Sequence, residues 1–460
     1  MRYTRPGEYL LKSIRLISDN NTNQNVEISS LVAEMNIYEN MFLNAISARL
    51  LITDTNNMLS NFPIIGQETV SIGISSFKQD GSEVFFQHDL KVYNFTSRNV
   101  INDNNLSYVL ELVSPEQLLN QQRKVCGSFK NKSPTNVAKA ILTNKKYGLN
   151  LDSRRVDITA GVGTDTVPIK DFIIPNWSPF KALNWLAQNS LSTAGGMDVT
   201  VFFYESFSPK PNETHIRSKF NFKSFAEMFR DKSEEIYTYY PTEDSSDRRG
   251  MSQKEIENID DHSSHNRITS YIVEQPYNII KNINMGMYSS RVIGHDIIER
   301  SLIEQKFSYG DDVFPRMRSQ REKYKYDLID DGLSEKYSNY KESSDSKVYY
   351  VPINHDQRRG NLDYIIPTRN SVLQRFDNIR LTVTISGNLE RSIGDVITLK
   401  IPSSDSTRSI SGKESEDNLY SGDYAITAIR HKFTPATYEM ILNVTKDNYF
   451  KTLSSIREGK

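Results

Sequence analysis

The length, charge and cysteine content of the chain limit what it can be. With 460 residues it is long enough for about three domains, each with its own hydrophobic core. The 56 Lys and Arg residues nearly balance the 57 Asp and Glu residues, which excludes a general charge attraction to nucleic acid or to an anionic membrane. The single cysteine, Cys126, excludes an intrachain disulfide and any metal site built from several thiolates.

The distribution of apolar residues indicates where the protein folds. No apolar run approaches the ~20 residues that a membrane-spanning helix requires. The first seven residues, Met1 to Gly7, lack the apolar core of a secretory signal. We therefore expect a protein without a membrane segment that folds in the cytoplasm.

A β-barrel is predicted for residues 1–114. Apolar and polar residues alternate in several runs of this region, which is typical of strands with one buried face. Turn residues such as Arg5-Pro6-Gly7 precede or separate the runs. The predicted strands are Tyr9–Ile17, Val26–Ile28, Leu31–Tyr38 and Ser47–Asp54, followed by runs through Val70, Ile72 and Ile74, through Leu90, Val92 and Phe95, and through Tyr108, Leu110 and Leu112.

An α/β domain is predicted for residues 115–245. Three Ser-Pro pairs mark the starts of helices, because Ser is a favoured N-cap and Pro is favoured at the first helical position. Each pair precedes apolar residues at helical spacing, and strands at 199–204 and 236–240 are expected to pack around the helices. The three pairs are Ser114-Pro115, Ser133-Pro134 and Ser178-Pro179.

A second β-barrel is predicted from residues 262–305 together with residues 369–449. The polar stretch before it, from Glu243 to Asn266, has no periodicity and is interpreted as a linker or exposed loop. Apolar residues between Asn282 and Glu299 predict two barrel strands, and Arg369–Phe376 predicts a short helix.

A charged insertion is predicted inside this second barrel, at residues 306–368. Its segment Arg316–Lys341 is rich in Tyr and charged residues and is interpreted as helical. Residues 450–460 form a polar tail.

The last well-patterned block, Ile379–Thr445, repeats the plan of the first barrel. Both blocks hold alternating strands in the same order, and Gly66 precedes Tyr108 by 42 positions as Gly394 precedes Tyr438 by 44. We favour a duplication of form, with a left-handed turn at Gly394; the alternative is two ordinary β meanders with common turn residues.

The predicted fold class is therefore mainly β with α+β parts. It comprises two similar antiparallel, tube-like β-barrels, an intervening α/β domain and a polar insertion in the second barrel. Four strands with short returns must close on themselves or be covered, because an open strand edge exposes unpaired backbone groups.

No motif for catalysis, cofactor binding or metal ligation emerges, and no residue is assigned to such a role. Gly161–Thr164 is rich in glycine but lacks the Lys of a phosphate loop, so we interpret it as a turn. His262 and His265, beside Asp260 and Asp261, would converge on a metal if they lay on a helix, but their segment has no helical pattern. A solvated polar loop is the simpler interpretation.

Other catalytic and binding patterns are absent or unspecific. The Gly-x-Ser-x-Gly pattern of serine hydrolases does not occur, and the seven histidines are scattered. The basic pairs Arg248-Arg249 and Arg358-Arg359 have the chemistry to contact phosphate, although solvated loop charge is the default interpretation.

Several strings of residues, taken in their order and spacing, carry a family resemblance. They are Arg5-Pro6-Gly7, Val26-Glu27-Ile28, Met35–Tyr38 and Leu50–Asp54 near the N-terminus; Trp177–Ala182, Phe202–Tyr204 and Phe220–Ser224 in the middle; and Ile379–Val383, Gly387-Asn388, Gly394-Asp395 and Tyr438–Met440 near the C-terminus. Together they resemble the central baseplate hub proteins of contractile-tailed bacteriophages, relatives of the hub part of type VI secretion spike proteins. The resemblance covers most of the chain except residues 243–262, 308–366 and the tail.

The resemblance implies a structural protein of the virion that carries no reaction and no cofactor. Such hubs are homotrimers in which two similar barrels per chain give a pseudo-six-fold ring, and this ring joins a trimeric central spike to a hexameric tail tube. The implied partners are the spike trimer, tail tube or tube-initiator proteins and baseplate wedge proteins. Phage DNA would pass through an axial channel without sequence-specific binding, and assembly would occur in the bacterial host cytoplasm.

Two alternatives from other classes stay open at this point. One is a tail-associated enzyme that degrades peptidoglycan, since carboxylates are abundant and sequence spacing does not show whether two of them share a cleft. The other is a carbohydrate-binding protein for receptor recognition, which exposed aromatic residues on loop tips would favour.

Overall fold

A computed structural model shows a chain built mainly from β-strands, most of which belong to one sheet of 14 strands. The predicted fold class, mainly β with α+β parts, is confirmed. The structure describes residues 7–18, 25–55, 58–62, 64–77, 82–102, 105–158, 166, 169–193, 198–207, 215–230, 235–239, 266–275, 278–296, 300–308, 346–352, 362–376, 379–402, 417 and 419–446.

Seven N-terminal strands form a unit that we call the first β module. In strands such as Ser47–Asp54 and Asn105–Val113 alternate residues are buried, because successive side chains of a strand point to opposite faces. The strands are β1 (Tyr9–Ile17), β2 (Asn25–Glu27), β3 (Val32–Asn40), β4 (Ser47–Asp54), β5 (Thr69–Phe77), β6 (Glu83–Asn102) and β7 (Asn105–Val113), with a short helix α1 (Met58–Asn61). Their order across the sheet is β2-β1-β5-β6-β7-β4-β3, and all of these pairs are antiparallel.

The middle domain has its own hydrophobic core, packed around Ile141, Phe180, Phe203 and Phe220. Its strands are β8 (Val125–Lys132), β9 (Val156–Ile158), β10 (Ile169–Trp177), β11 (Val201–Phe207), β12 (His215–Ile216) and β13 (Ser218–Ser224), and its helices are α2 (Pro115–Gln122), α3 (Pro134–Thr143), α4 (Pro179–Gln188) and α5 (Phe225–Arg230). β8 pairs with β10, and β13 lies between β11 and β9, while β12 adds to β6 of the first module.

The three helices predicted from Ser-Pro pairs are confirmed, and each begins at its proline. The side chains of the preceding serines nevertheless accept no hydrogen bond from a backbone N–H group in the first turn of these three helices. The Ser114 hydroxyl instead donates to Glu205 Oε2 at 2.6 Å. The fixed backbone angle of proline therefore starts these helices, while at least one serine side chain serves a contact between domains.

Six strands between Ile236 and Lys446 form the second β module. They are β14 (Ile236–Tyr239), β15 (Arg267–Gln275), β19 (Ile379–Ser386), β20 (Val396–Lys400), β21 (Gly422–Phe433) and β22 (Tyr438–Lys446). Each pairs with two others in the closed order β14-β15-β19-β22-β21-β20, and β20 pairs again with β14. The second module is thus a closed six-stranded barrel.

The strand that closes this barrel had been assigned to the middle domain from the sequence. Ile236–Tyr239 instead pairs in parallel with both β20 and β15. The backbone carbonyl of Glu235 accepts from Thr398 N–H at 3.2 Å, and its carboxylate pairs with Arg391. The assignment was wrong because alternation shows which face of a strand is buried but not which strand lies beside it.

The two barrel strands predicted between Asn282 and Glu299 are also corrected. Residues Ile279–Asn284 form a helix, α6, whose N-cap Asn278 accepts from Lys281 N–H at 2.9 Å. The next strand belongs to a separate small sheet, in which β16 (Ser289–Asp296) lies between β17 (Ser301–Ser308) and β18 (Val348–Pro352). The apolar residues of this stretch thus fill a helix and a different sheet.

The short helix predicted at Arg369–Phe376 is confirmed as the end of a longer helix, α7 (Leu362–Phe376). It connects three parts of the molecule. The Asn370 amide donates to the carbonyl of Met285 at 2.7 Å, and Arg369 donates to the carbonyl of Val199 at 2.8 Å.

Some predictions fall on residues that the structure does not describe. The helix interpreted at Arg316–Lys341, most of the linker at 243–266 and the tail at 450–460 lie outside the described residues. The domain limits given above remain predictions. Within the described ranges, every helix is too short or too polar to cross a bilayer.

The two β modules share their strand pairing, and one bulge coincides in each of two strand pairs. β3 pairs with β4 as β15 pairs with β19. In both cases a bulge follows the first residue pair, directly after Val32 in β3 and directly after Ile268 in β15. A second bulge matches in the same way. It follows Val92 where β6 pairs with β7, and it follows Ile426 where β21 pairs with β22. Bulges are positional features of a fold, so their coincidence supports the predicted duplication of form.

Hydrogen bonds at the turns agree with this correspondence. The Val92 N–H donates to the Glu68 carbonyl at 3.0 Å, and the Ile426 N–H donates to the Asp395 carbonyl at 2.9 Å. Gly394 has φ of 90°, so the predicted left-handed turn is confirmed, and Gly66 has φ of 91°. The pairing also refines the alignment made from spacing.

In this refined alignment the counterpart of Tyr108 is Met440 rather than Tyr438. The structural reason is the register: Tyr108 lies opposite Ile52 on β4, and Met440 lies opposite Ile385 at the matching position of β19. The spacing in the sequence had therefore placed this last strand two residues out of step.

Candidate functional site: the joint and the open strand edges

A direct strand pairing connects the two β modules. Residues Ala428–Phe433 of β21 run antiparallel to Met35–Asn40 of β3, with Ala428 opposite Asn40 and Phe433 opposite Met35. We call this pairing the joint. It makes one sheet of the two modules, and their apolar side chains form one continuous core.

A buried polar network lies at the centre of the joint. One oxygen of the Glu39 carboxylate is 2.7 Å from His431 Nε2, and the other accepts from the Phe207 N–H at 2.7 Å. His431 Nδ1 is 2.8 Å from the hydroxyl of Tyr438. Because a carboxylate oxygen accepts, the Nε2–H group donates to Glu39, and Nδ1 is the ring nitrogen that contacts the Tyr438 hydroxyl. The network holds both modules and β11 in one geometry.

Arg430 forms a second, half-exposed contact across the joint. Its Nε donates to Asn36 Oδ1 at 2.8 Å, its Nη2 is 3.6 Å from Glu34, and its guanidinium lies 5.9 Å from the centre of the Tyr38 ring. This contact contributes less to the stability of the fold than the buried network does, because solvent screens its charges. The contact still helps to fix the register of β21 against β3, because Asn36, Glu34 and Tyr38 all belong to β3.

A second buried network fastens the middle domain to the first module. Glu205 Oε2 accepts from the Ile46 N–H at 3.0 Å and from Ser114, while Oε1 is 3.2 Å from Arg155 Nη2. Arg155 also pairs with Glu116. Burial raises the pKa of Glu205, the nearby Glu116 carboxylate raises it further, and Arg155 opposes both effects.

One buried histidine lies between the first module and the middle domain. His88 is on β6, its ring centre is 5.3 Å from that of Phe207, and its Nε2 has no hydrogen-bond partner among the described residues. Burial lowers the pKa of His88 to about 3, and the positive charge of Arg155 contributes. The ring is therefore neutral in the folded protein at ordinary pH.

Each module also has a strand edge that no described strand covers. In the first module, β6 pairs with β5 only up to Lys91, so the same edge of residues 93–102 is open. In the second module, β15 pairs with β14 only through Arg267 and Ile268, so the edge of residues 270–275 is open. Val100, Ile101 and Ile272 are exposed apolar residues on these segments. Open apolar edges of this kind are sites for pairing with another chain.

A cleft of about 520 Å³ lies between the middle domain, the first module and α7. The guanidinium of Arg369 lies 5.3 Å from the centre of the Phe202 ring inside it, and burial lowers the pKa of Arg369 to about 10. Its amides and apolar side chains offer no nucleophile paired with a base, so it has the character of a packing gap between domains.

The weak candidates weighed from the sequence cannot be placed. Gly161–Thr164, His262, His265 and the two arginine pairs lie outside the described residues. The described residues contain no group of three or more His, Cys, Asp or Glu side chains that could hold a metal ion. Cys126 is exposed and free.

The sequence analysis missed the residues of the joint, although a signal for them existed. Glu39 lies in phase with the buried residues Met35 and Ile37, and His431 lies in phase with Ile429 and Phe433. A charged or titratable residue on the buried face of an alternating strand needs a partner. That rule identifies both residues as candidates for a contact, although it does not show that they contact each other.

Comparison with known proteins finds no matching family model and no matching curated sequence. Among the solved structures that match, two tail proteins do so over nearly their whole length. The tail protein from Neisseria meningitidis MC58 has a TM-score of 0.50 at 9% identity, covering 96% of this chain and 98% of that one. The 43 kDa tail protein of prophage MuSo2 from Shewanella oneidensis has a TM-score of 0.51 at 10% identity, covering 95% and 99%. The chain therefore has the fold of phage tail proteins.

Proposed function

We propose that the protein is a structural hub of a contractile phage tail. Three chains form a closed ring of six β modules, which adapts a trimeric central spike to a hexameric tail tube. The ring leaves an axial channel through which DNA passes without sequence-specific binding. The role involves no reaction and no cofactor.

The observation that carries the proposal is the matched strand pairing of the two modules. A trimer of this chain presents two similar modules per subunit, and therefore six around its axis. Such a ring meets a three-fold partner through its true symmetry and a six-fold partner through its pseudo-symmetry. The fold shared with two tail proteins, over almost the whole chain, supports a place in a tail.

The proposed partners follow from this place in the assembly. They are other copies of the chain, the central spike trimer, tail tube or tube-initiator proteins and the baseplate wedge proteins. The proposed location is the baseplate of the virion, after assembly in the cytoplasm of the bacterial host. The near-zero net charge is compatible with a channel that does not retain DNA.

The mass of the purified full chain in solution tests the proposal. Light scattering after size-exclusion chromatography should give three times the chain mass of 52.9 kDa over a range of protein concentrations. A protein that stays a monomer, or forms dimers, at every concentration contradicts the trimeric hub.

A peptidoglycan assay separates the structural role from the enzymatic alternative. Purified peptidoglycan is incubated with the full chain, and soluble glycan fragments are measured by chromatography. The structural role predicts no more fragments than a heat-denatured sample gives. Steady release of fragments by the native protein contradicts it.

A further inference from the structure

The joint within one chain is formed by a long strand, β21, that extends beyond the end of β20, the strand with which its first half pairs. β21 pairs with β20 over Gly422–Ala425, and its second half, Ala428–Phe433, then pairs with β3 on that same edge. β22 covers the other edge of both halves. One long strand thereby belongs to its own module and to the neighbouring one.

β6 of the first module has the same construction. It pairs with β5 over Glu83–Lys91 on one edge, and it carries the matching bulge after Val92. Its second half continues along β7, with two further bulges that β21 lacks, between Thr96 and Asn99 and between Val100 and Asn102. The counterpart of Phe433 is Val100, since Leu106 opposite Val100 matches Tyr438 opposite Phe433. The second half of β6 is thus the counterpart of the segment that makes the joint, but here none of the described strands covers its edge.

β15 of the second module is the counterpart of β3. Both strands carry a bulge directly after their first pair with the neighbouring strand. Tyr271 matches Met35 and Ile272 matches Asn36, because the pairs Ile272–Thr382 and Asn36–Arg49 occupy the same step after the bulge. The edge that β3 offers to β21 is therefore the edge that is open on β15.

We propose that the open edge of β6 in one chain pairs with the open edge of β15 in the next, and so repeats the joint between chains. The partner is a second copy of this chain. Carrying over the register of the joint places Asn99 opposite Ile272, Val100 opposite Tyr271 and Thr96 opposite Gln275. This inference rests on the proposed trimeric ring and specifies its interface.

Exposure of the matched residues agrees with this pairing. Phe433 and Asn36, which the joint covers, are 3% and 7% exposed. Their counterparts on the open edges, Val100 and Ile272, are 69% and 63% exposed. Pairing of the two edges would bury these apolar side chains and provide hydrogen-bond partners for backbone groups along both strands.

The symmetry of the contact allows the ring to close. The two edges lie on different modules, so the contact is head-to-tail and each chain uses one edge on each side. If the contact between chains repeats the geometry of the joint, all six contacts of the ring are alike. Three would be covalently continuous within a chain and three would join different chains.

Engineered disulfides test the register. The double variant Asn99→Cys/Ile272→Cys is made in a Cys126→Ser background, because Cys126 is exposed. Directly opposed residues of antiparallel strands have Cα atoms about 4.5–5.5 Å apart, within the range of a disulfide. Mild oxidation should give covalent dimers and trimers on a non-reducing gel, and a reductant should return them to single chains.

Two controls accompany this variant. Asn36→Cys/Lys432→Cys places the matched pair in the existing joint, and it should form a disulfide within one chain without any change in mass. Tyr93→Cys/Ile272→Cys shifts the register by six residues, about 20 Å along a strand, and should form few covalent trimers. If Asn99→Cys/Ile272→Cys does not fold, Val100→Cys/Tyr271→Cys takes its place.

The outcomes separate this inference from the proposed function. Covalent trimers from Asn99→Cys/Ile272→Cys but few from Tyr93→Cys/Ile272→Cys support the proposed pairing. A protein that has the mass of a trimer but forms no covalent trimer with either matched pair overturns the pairing and leaves the trimeric hub standing. A protein that is monomeric by mass overturns both.

Discussion

The two β modules share one plan but close it in different ways. In the second module a short strand, Ile236–Tyr239, pairs with β15 and β20 and completes a six-stranded barrel. In the first module no described strand joins β3 to β1, and β3 is covered instead by β21 of the second module. The second module is thus closed by one of its own strands, whereas the first module is covered by a strand of its neighbour.

The two modules therefore differ in their strand edges more than in their cores. Alternating Ile, Leu and Val side chains of both modules fill the shared core, and both modules contain the two matching bulges. What distinguishes the modules is which edge is covered and whether a polar network fixes the contact. The predictions below test that distinction, from the largest expected effect to the smallest.

The largest effect is expected at the joint, from His431→Ala. The substitution leaves one buried carboxylate oxygen of Glu39 without its hydrogen bond to His431, and leaving a buried polar group of this kind unsatisfied costs about 3 kcal/mol. Urea unfolding followed by circular dichroism measures the loss. His295→Ala, at an exposed histidine of the small sheet, is the control and should change stability by less than about 0.5 kcal/mol.

A double variant sharpens this result. Glu39→Ala/His431→Ala should cost less than the sum of the two single substitutions, because it removes both members of the pair. Costs that simply add would show that Glu39 and His431 do not depend on each other, and the network would then not hold the joint.

The next effect is a pH dependence confined to the first module, at His88. Its pKa of about 3 in the folded protein lies below the value of about 6.5 in an unfolded chain, so only the unfolded chain gains a proton as pH falls below 6.5. The stability that depends on a neutral His88 is fully present above pH 6.5, and it is lost progressively as pH falls from 6.5 toward 3. At pH 5 the loss is about 2 kcal/mol.

The substitution His88→Phe checks this prediction. It should remove that part of the decline in unfolding free energy between pH 7.5 and pH 5, whatever its effect at pH 7.5. The matching position of the second module is Gly422, so no equivalent dependence is expected there. An unchanged pH profile in the variant would show that His88 is not the source.

A third prediction compares the two turn glycines. Both have a positive φ, so Gly66→Ala and Gly394→Ala each introduce backbone strain of about 1 kcal/mol. A Cβ at Gly66 meets no atom within 4 Å, whereas one at Gly394 lies 2.8 Å from the sulfur of Met228. Gly394→Ala should therefore destabilise the protein by about 1 kcal/mol more than Gly66→Ala. Equal melting temperatures would contradict the tighter packing of the second module at this turn.

The smallest effect on the stability of the subunit is expected at the open edge of β15. Ile272→Lys places a charge on an exposed strand edge, which disfavours pairing with another chain but changes subunit stability by no more than about 0.5 kcal/mol. Light scattering should show the mass of one chain. Leu302→Lys, on an exposed residue of the small sheet, should keep the mass of the trimer.

The sequence was informative where a local rule decides the structure. Alternation predicted most strands of both modules, and Pro115, Pro134 and Pro179 predicted where three helices begin. Gly394 was predicted to adopt a left-handed conformation, which it does. In each case the physical cause lies within a few residues of the effect.

The remaining features depend on residues far apart in the chain. Glu39 and His431 are 392 positions apart, so no local pattern pairs them. Ile236–Tyr239 alternates like any strand, and its neighbours in space, β15 and β20, could not be inferred from it. Ile283 and Met285 follow strand spacing but lie in or next to a capped helix, because Asn278 begins it. The open edges became visible only when the two modules were compared pair by pair.

Single-particle electron microscopy of the purified protein, viewed along the ring axis, tests the central claim most directly. If the two modules act as equivalents, averaged images should show six lobes of similar size around a central opening. Three lobes, or a particle without a ring, would contradict the idea that one chain presents the same module twice.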